Sequence, residues 1–331
     1  MRISGCGYTL CCCVAAAMLA GCAGSQPPIG APDAMPQAST LAAHADRDTL
    51  WMLPEAKRDD LLYVAGSDDN IYVFAYPTGK LVGGFRPPNY APQFLCADSK
   101  GDVFVPVAFI STEPIIYEYA HGGTKPIATL TAPYTGTGAL ACSVDPVTGD
   151  LAVSVASGIE IFKGARGNPT LIQTPDVIFD CAYSEDGDLF ASPWQSRGGS
   201  KFLYMLGRGG GSFGTVTLNE GLDAVSIQWV DGKLVVAALH HGSRGPQEIY
   251  QIRISGSRGT VGAPIDLDSR GDRKPGRVQF WITGKTLVEP DHPPRNHGLL
   301  NFWRFPQGGE PTKTLIVHPD RFYGLTFSRA T

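Results

Sequence analysis

The chain of 331 residues predicts an all-β fold: a six-bladed β-propeller of four-stranded blades, closed when the C-terminal strand joins the first blade. Three observations carry that expectation. A unit of roughly 45 residues recurs from about residue 60 onward. Each copy is built of short apolar runs bounded by Gly, Pro and Asp turns, with no sustained helical period. The first copy lacks its opening run, and a surplus run at the C-terminus can supply it.

Composition sets the outer limits. A hydrophobic content of 43% is enough for a core, which rules out wholesale disorder, although 40 Gly and 26 Pro make a turn-rich chain. A net charge of −4 leaves no basic face, so nucleic acid is excluded as the main partner. Outside the N-terminus no apolar run reaches the roughly 18 residues of a membrane span.

Residues 1–21 read as a signal peptide, with Arg2 ahead of an apolar stretch too short to cross a bilayer. The stretch ends in Leu19-Ala20-Gly21-Cys22, which resembles the lipobox of bacterial lipoproteins. That resemblance implies cleavage before Cys22, lipid on its thiol, and a membrane partner reached through the anchor. With Ala23 rather than Asp after the cysteine, it implies the outer membrane if the host is Gram-negative. Residues 22–59, rich in Ala, Pro, Gln and Ser, read as the lipidated cysteine and a flexible tether, with Trp51, Met52 and Leu53 able to dock on the domain that follows. Residues 60–331 form the propeller domain.

The repeat is visible in its first hairpin. Phe94-Leu-Cys96 leads to Gly101-Asp102, Leu140-Ala-Cys142 to Gly149-Asp150, and Phe179-Asp-Cys181 to Gly187-Asp188. Two divergent copies centre on Gln228 and Gln279, and a partial one on Thr326. The anchors 96, 142, 181, 228, 279 and 326 are 46, 39, 47, 51 and 47 residues apart. A third run rich in aromatics follows in each copy, as in Ile71-Tyr-Val-Phe74 and Phe302-Trp-Arg-Phe305, and a glycine turn then opens a fourth. The Gly-Asp pairs are turn chemistry. Gly207-Arg-Gly-Gly-Gly-Ser212 has neither the lysine nor the helix of a phosphate loop and reads as a hairpin turn.

The segment from Leu62-Tyr-Val-Ala-Gly-Ser to Pro77-Thr-Gly-Lys-Leu81 resembles the NHL and YVTN-type propeller repeats of secreted bacterial proteins, and the likeness covers nearly all of residues 60–331. The resemblance specifies a fold and leaves the function open.

Cys96, Cys142 and Cys181 fall at one position of consecutive blades. A disulfide needs Cα atoms within about 7 Å, and strands of neighbouring blades usually lie farther apart, so these cysteines read as small apolar fillers between sheets. Five of the seven histidines, His240, His241, His292, His297 and His318, fall in loops expected to gather on one face, with Trp194, Asp291 and Arg321 in the same or neighbouring loops. Imidazole and carboxylate there suit a polar ligand, general acid–base work or a divalent metal, while polar loops with no site at all account for the same pattern.

Two functions from different classes follow. The first is a surface-tethered binding or scaffold module, a monomer whose partner is a glycan, a peptide or an envelope protein. The second is a metal-dependent hydrolase or lactonase with a His/Asp site on the loops of blades five and six. Gluconolactonase-like propellers hold a cation near the axis with acidic and amide side chains, whereas Cys96, Cys142, Cys181, Gln228, Gln279 and Thr326 stand at the corresponding positions here. No cofactor is called for on the binding reading; a divalent metal goes with the hydrolase alternative. A subunit of an envelope assembly machine is a further, less favoured reading.

Overall fold

The structure, a computed structural model, describes residues 50–89, 91–107, 114–133, 141–194, 199–239, 247–268, 278–291, 298–317 and 321–331. The stretch expected to be a signal peptide, Cys22 and most of the expected tether therefore lie outside the described residues. The described part is all-β apart from two short 3-10 turns, and its sheets are arranged like the blades of a propeller.

The first sheet opens with β1 (Trp51–Met52), β2 (Leu61–Gly66), β3 (Ile71–Ala75) and β4 (Lys80–Phe85). A second sheet holds β5 (Cys96–Ala97), β6 (Val103–Val107), β7 (Ile115–Tyr119) and β8 (Pro126–Thr131). A third holds β9 (Cys142–Val144), β10 (Leu151–Val155), β11 (Gly158–Phe162) and β12 (Thr170–Gln173). The fourth is continuous over β13 (Ile178–Tyr183), β14 (Leu189–Pro193), β15 (Ser200–Leu206), β16 (Gly214–Val230), β17 (Lys233–Leu239), β18 (Gln247–Ser255) and β19 (Arg258–Val261). The fifth holds β20 (Trp281–Thr283), β21 (Thr286–Asp291), β22 (Gly298–Arg304) and β23 (Gly308–Val317). Last in the chain, β24 (Phe322–Ser328) returns to the first sheet and pairs antiparallel with β2, from Leu61 opposite Ser328 to Gly66 opposite Phe322.

The hydrogen bonding thus gives five sheets where the repeat predicts six separate ones. The physical reason is β16. Its N-terminal half pairs with β15 and its C-terminal half with β17, so one 17-residue strand serves two neighbours and fuses what would be two sheets. Burial alternates only at the N-terminal end of β16 and becomes nearly continuous from Gly221 to Ile227, where a bulge between Ala224 and Ser226 re-aims the side chains.

The strands nearest the axis neighbour one another in a closed cycle, β24, β5, β9, β13, β16, β20 and back to β24. The middle strands are buried on both faces because sheet packs on sheet, which is why Val103–Val107, Leu151–Val155 and Leu189–Pro193 are buried throughout. Outer strands such as Pro126–Thr131 are largely exposed. The chain ahead of residue 60 is folded from Trp51 on: Trp51 and Met52 pair with Gly84 and Gly83, and Ala56 is fully buried. Residues from Trp51 on thus belong to the fold, ahead of the boundary expected at residue 60.

Candidate functional site at the propeller axis

The anchor positions of the repeat converge on the axis, and side chains there brace one inner strand to the next. Between β5 and β9 the brace is covalent: Cys96 and Cys142 form a disulfide, with Cα atoms 5.6 Å apart. This corrects the expectation that both are fillers. Inner strands converge toward the axis, so adjacent sheets come within disulfide reach there even though they diverge outward. Cys181 remains a free, buried thiol, and burial pushes its pKa well up, which makes it a poor nucleophile.

The remaining junctions are hydrogen-bonded. Ser143 Oγ accepts from Tyr183 N at 3.0 Å, tying β9 to β13. Asp180 Oδ2 accepts from Ile227 N at 2.8 Å, tying β13 to β16, while Oδ1 accepts from Cys181 N at 2.8 Å. Gln228 Oε1 accepts from Ile282 N at 2.7 Å and its Nε2 donates to Ile282 O at 3.0 Å, tying β16 to β20. Gln279 spans further, with Oε1 accepting from both Leu95 N and Leu325 N at 2.9 Å. Its Nε2 donates back to Leu95 O.

Asp180 is the residue that sequence reasoning missed. It stands one place before the anchor, where the other cysteine-bearing copies have Leu95 and Ala141. An acid in that otherwise apolar column was the available signal. Its carboxyl is buried, and burial raises its pKa from 3.8 to about 7, only partly opposed by the N–H groups of Ile227 and Cys181.

Beyond this braced ring, toward the Gly-Asp hairpin turns, lies a cavity of about 290 Å³. The disulfide, Cys181, Gln228 and Gln279 line its inner end, and Tyr183, Glu185, Trp229 and Trp281 line its walls. Trp229 is fixed as a platform. Phe190 stacks on it with ring centroids 5.2 Å apart and planes 9° apart, and its indole N–H donates to the Glu185 carboxylate.

The face predicted to hold the site lies at the other end of the inner strands. Trp194 is there and 44% exposed, edge-on to Phe179 at 6.0 Å, which is edge-on to Phe94 at 5.7 Å. The three rings run from an exposed tryptophan inward to the start of the inner strands. Asp291 ends β21, half-buried, and Arg321 is exposed just before β24, its carbonyl accepting from Ser67 N. His240, His241, His292, His297 and His318 lie outside the described residues. Among the described residues, no group of three His, Cys, Asp or Glu side chains is placed to hold a metal ion.

No family model and no curated protein matches the chain. Among solved structures it is similar to a protein of unknown function from Bacteroides caccae, with a TM-score of 0.59 and 13% identity over 82% of this chain and 99% of that one. It is also similar to the hydrazine synthase of Kuenenia stuttgartiensis, with a TM-score of 0.50 and 15% identity over 70% of this chain and 68% of that one. At such identities the likeness is one of fold.

Proposed function

We propose that the chain is an extracytoplasmic lipoprotein, held to its membrane by acyl chains on Cys22, whose propeller is a binding module. The observation that carries this reading is the axial cavity of about 290 Å³, whose inner end is made of strands braced to one another by side chains. A concavity that exists before its ligand arrives is the usual form of a small-molecule site; this one mixes polar and apolar lining and falls just below the usual range of roughly 300–1,000 Å³. The Cys96–Cys142 disulfide supports the extracytoplasmic part, because such bonds persist in oxidising compartments.

The propeller has six blades in this reading, with the seven-stranded sheet counted as two that share β16. Support comes from the cycle of six inner strands and from six anchor positions at similar spacing. A crystal structure with any other number of inner strands around the axis overturns the count.

Two measurements test the function. Membranes from cells expressing the full chain retain it after a high-salt wash, and Cys22→Ala releases it to the soluble fraction; retention of the variant overturns the anchor. Tryptophan fluorescence of the full chain in non-ionic detergent responds saturably to at least one of a set of small neutral, anionic and cationic compounds. A response to none of them, with the fold intact by circular dichroism, overturns the binding module.

A further inference from the structure

The chemistry of the cavity wall narrows the ligand. Among the described residues that line it, Glu185 is the one carboxylate, and none carries a positive charge. The hairpin turns on that side add Asp98, Asp102, Asp145, Asp150, Asp186, Asp188 and Asp231, against Lys100, Lys233 and Lys285. A low-dielectric recess whose rim carries an excess of one sign of charge concentrates ligands of the opposite sign.

The aromatic groups add a second, independent selection. Trp229 and Trp281 both line the cavity, and Tyr183 lies with them. Phe190 stacks on one face of the Trp229 ring, Trp229 lines the cavity, and the bond to Glu185 sets the ring's orientation and brings the carboxylate to its edge. An indole face carries the negative end of the ring quadrupole, and tryptophan is the strongest of the aromatic partners for a cation within about 6 Å. An anion meets the negative faces of the rings and the Glu185 carboxylate. A neutral sugar gains stacking but makes no use of the charge.

The geometry points to a small organic cation, an alkyl- or quaternary ammonium ion, as the ligand of this cavity, with Trp229 and Trp281 as its walls and Glu185 as its counter-charge. The inference rests on the binding-module reading and specifies the ligand class for it. Recognition by aromatic faces and a carboxylate at the rim needs no donor from the ligand, so a fully methylated ammonium fits as well as a primary one. The disulfide and the amide braces at the inner end set the depth.

The test uses the full chain in non-ionic detergent and three probes: choline, its neutral carbon isostere with a tert-butyl group in place of the trimethylammonium head, and glucose. Choline changes the tryptophan fluorescence saturably, with a Kd on the order of millimolar, and the isostere and glucose bind at least tenfold more weakly. Glu185→Gln keeps an oxygen to accept the Trp229 N–H while removing the charge; it weakens choline at least fivefold and leaves the isostere unchanged. Choline binding no better than its isostere, or insensitive to E185Q, overturns the inference. Saturation by glucose without choline overturns the cation and leaves the binding module standing. Silence from all three removes this cavity as the ligand site, and with it the inference.

Discussion

Gln279 holds Leu95 by both of its backbone groups across 184 residues of sequence: Nε2 donates to Leu95 O and Oε1 accepts from Leu95 N, each at 2.9 Å. The same oxygen accepts from Leu325 N, so one buried amide ties the C-terminal strand to an early part of the ring. Replacing it with Ala leaves two N–H groups and one carbonyl buried without this partner. At roughly 1–3 kcal/mol for each such group, Gln279→Ala lowers the unfolding free energy by about 3 kcal/mol or more. Urea denaturation followed by tryptophan fluorescence measures it. A loss within about 0.5 kcal/mol, the size of an ordinary surface substitution, would mean that water replaces the amide there.

The column of anchors that contains Gln279 was legible in the sequence, and so was the closing strand, because both follow from a repeat with a missing first run. What the anchors do was not. A cysteine or glutamine at one position says nothing about distance, and the distance between inner strands depends on how sharply the sheets converge at the axis. The disulfide and the amide braces are consequences of that convergence. The fusion of two sheets through β16 was hidden for a related reason: a strand-to-strand link of ordinary composition continues as extended backbone where a turn was expected. Asp180 broke its column visibly, but only the buried N–H of Ile227 explains it. Trp229 and Trp281 follow Gln228 and Gln279 by one and two residues, but an aromatic on a strand reads equally as core, so nothing in the sequence sets them apart as a cavity wall.

The disulfide closes a loop of 46 residues, for which the chain-entropy account gives a stabilisation of about 4 kcal/mol, with about 2–4 kcal/mol typical of measured cases. Cys142→Ala is expected to lower the melting temperature by several degrees, and reduction of the wild-type protein by a comparable amount. A cross-linked Cys96–Cys142 peptide appears in a non-reducing digest, while Cys181 stays unalkylated until the protein is unfolded, as befits a buried thiol with a raised pKa. Rapid alkylation of Cys181 in the native state, or a Cys142–Cys181 peptide in its place, contradicts this assignment.

Stability should depend on pH with two opposed contributions. The folded state raises the pKa of Asp180 from 3.8 to about 7, so it holds a proton that the unfolded chain has released. Stability from this group is full below about pH 4 and is lost as pH rises to about 7, by a few kcal/mol in all. His121 runs the other way. Burial lowers its pKa below 6.5, with its ring nitrogens near Ser328 Oγ and Asp59 O, so its share is full above pH 6.5 and is lost as pH falls. Asp180→Asn removes the first contribution alone. Wild type is therefore more stable than D180N by the largest margin near pH 4, and the margin shrinks toward pH 7; parallel melting curves across that range would refute the assignment.

Ring closure makes one further demand, at the turn of the second sheet. Gly101 has φ +85, and a Cβ there would lie 2.4 Å from Arg329 O, 3.2 Å from Ser328 Oγ and 3.3 Å from His121 Nδ1. Its own carbonyl accepts from Ser328 Oγ, so the end of the closing strand is seated directly on this glycine. Gly149 occupies the equivalent turn of the third sheet with φ +76 and nothing within 4 Å of its would-be Cβ. The two positions share the left-handed backbone, which disfavours alanine by about 1–2 kcal/mol, and differ only in the contact. Gly149→Ala should therefore show the conformational cost alone. Gly101→Ala adds a clash against backbone that can be relieved only by lifting Arg329 and Ser328, with a further cost of about 1–3 kcal/mol by comparison with overpacked sites. The difference appears in the denaturation midpoints, and faster hydrogen exchange of the β2–β24 amides in G101A but not G149A locates it. Equal losses in the two variants, with unchanged exchange at β24, would mean that the C-terminal strand does not bear on the turn, and that closure rests on the β2–β24 pairing and Gln279 alone.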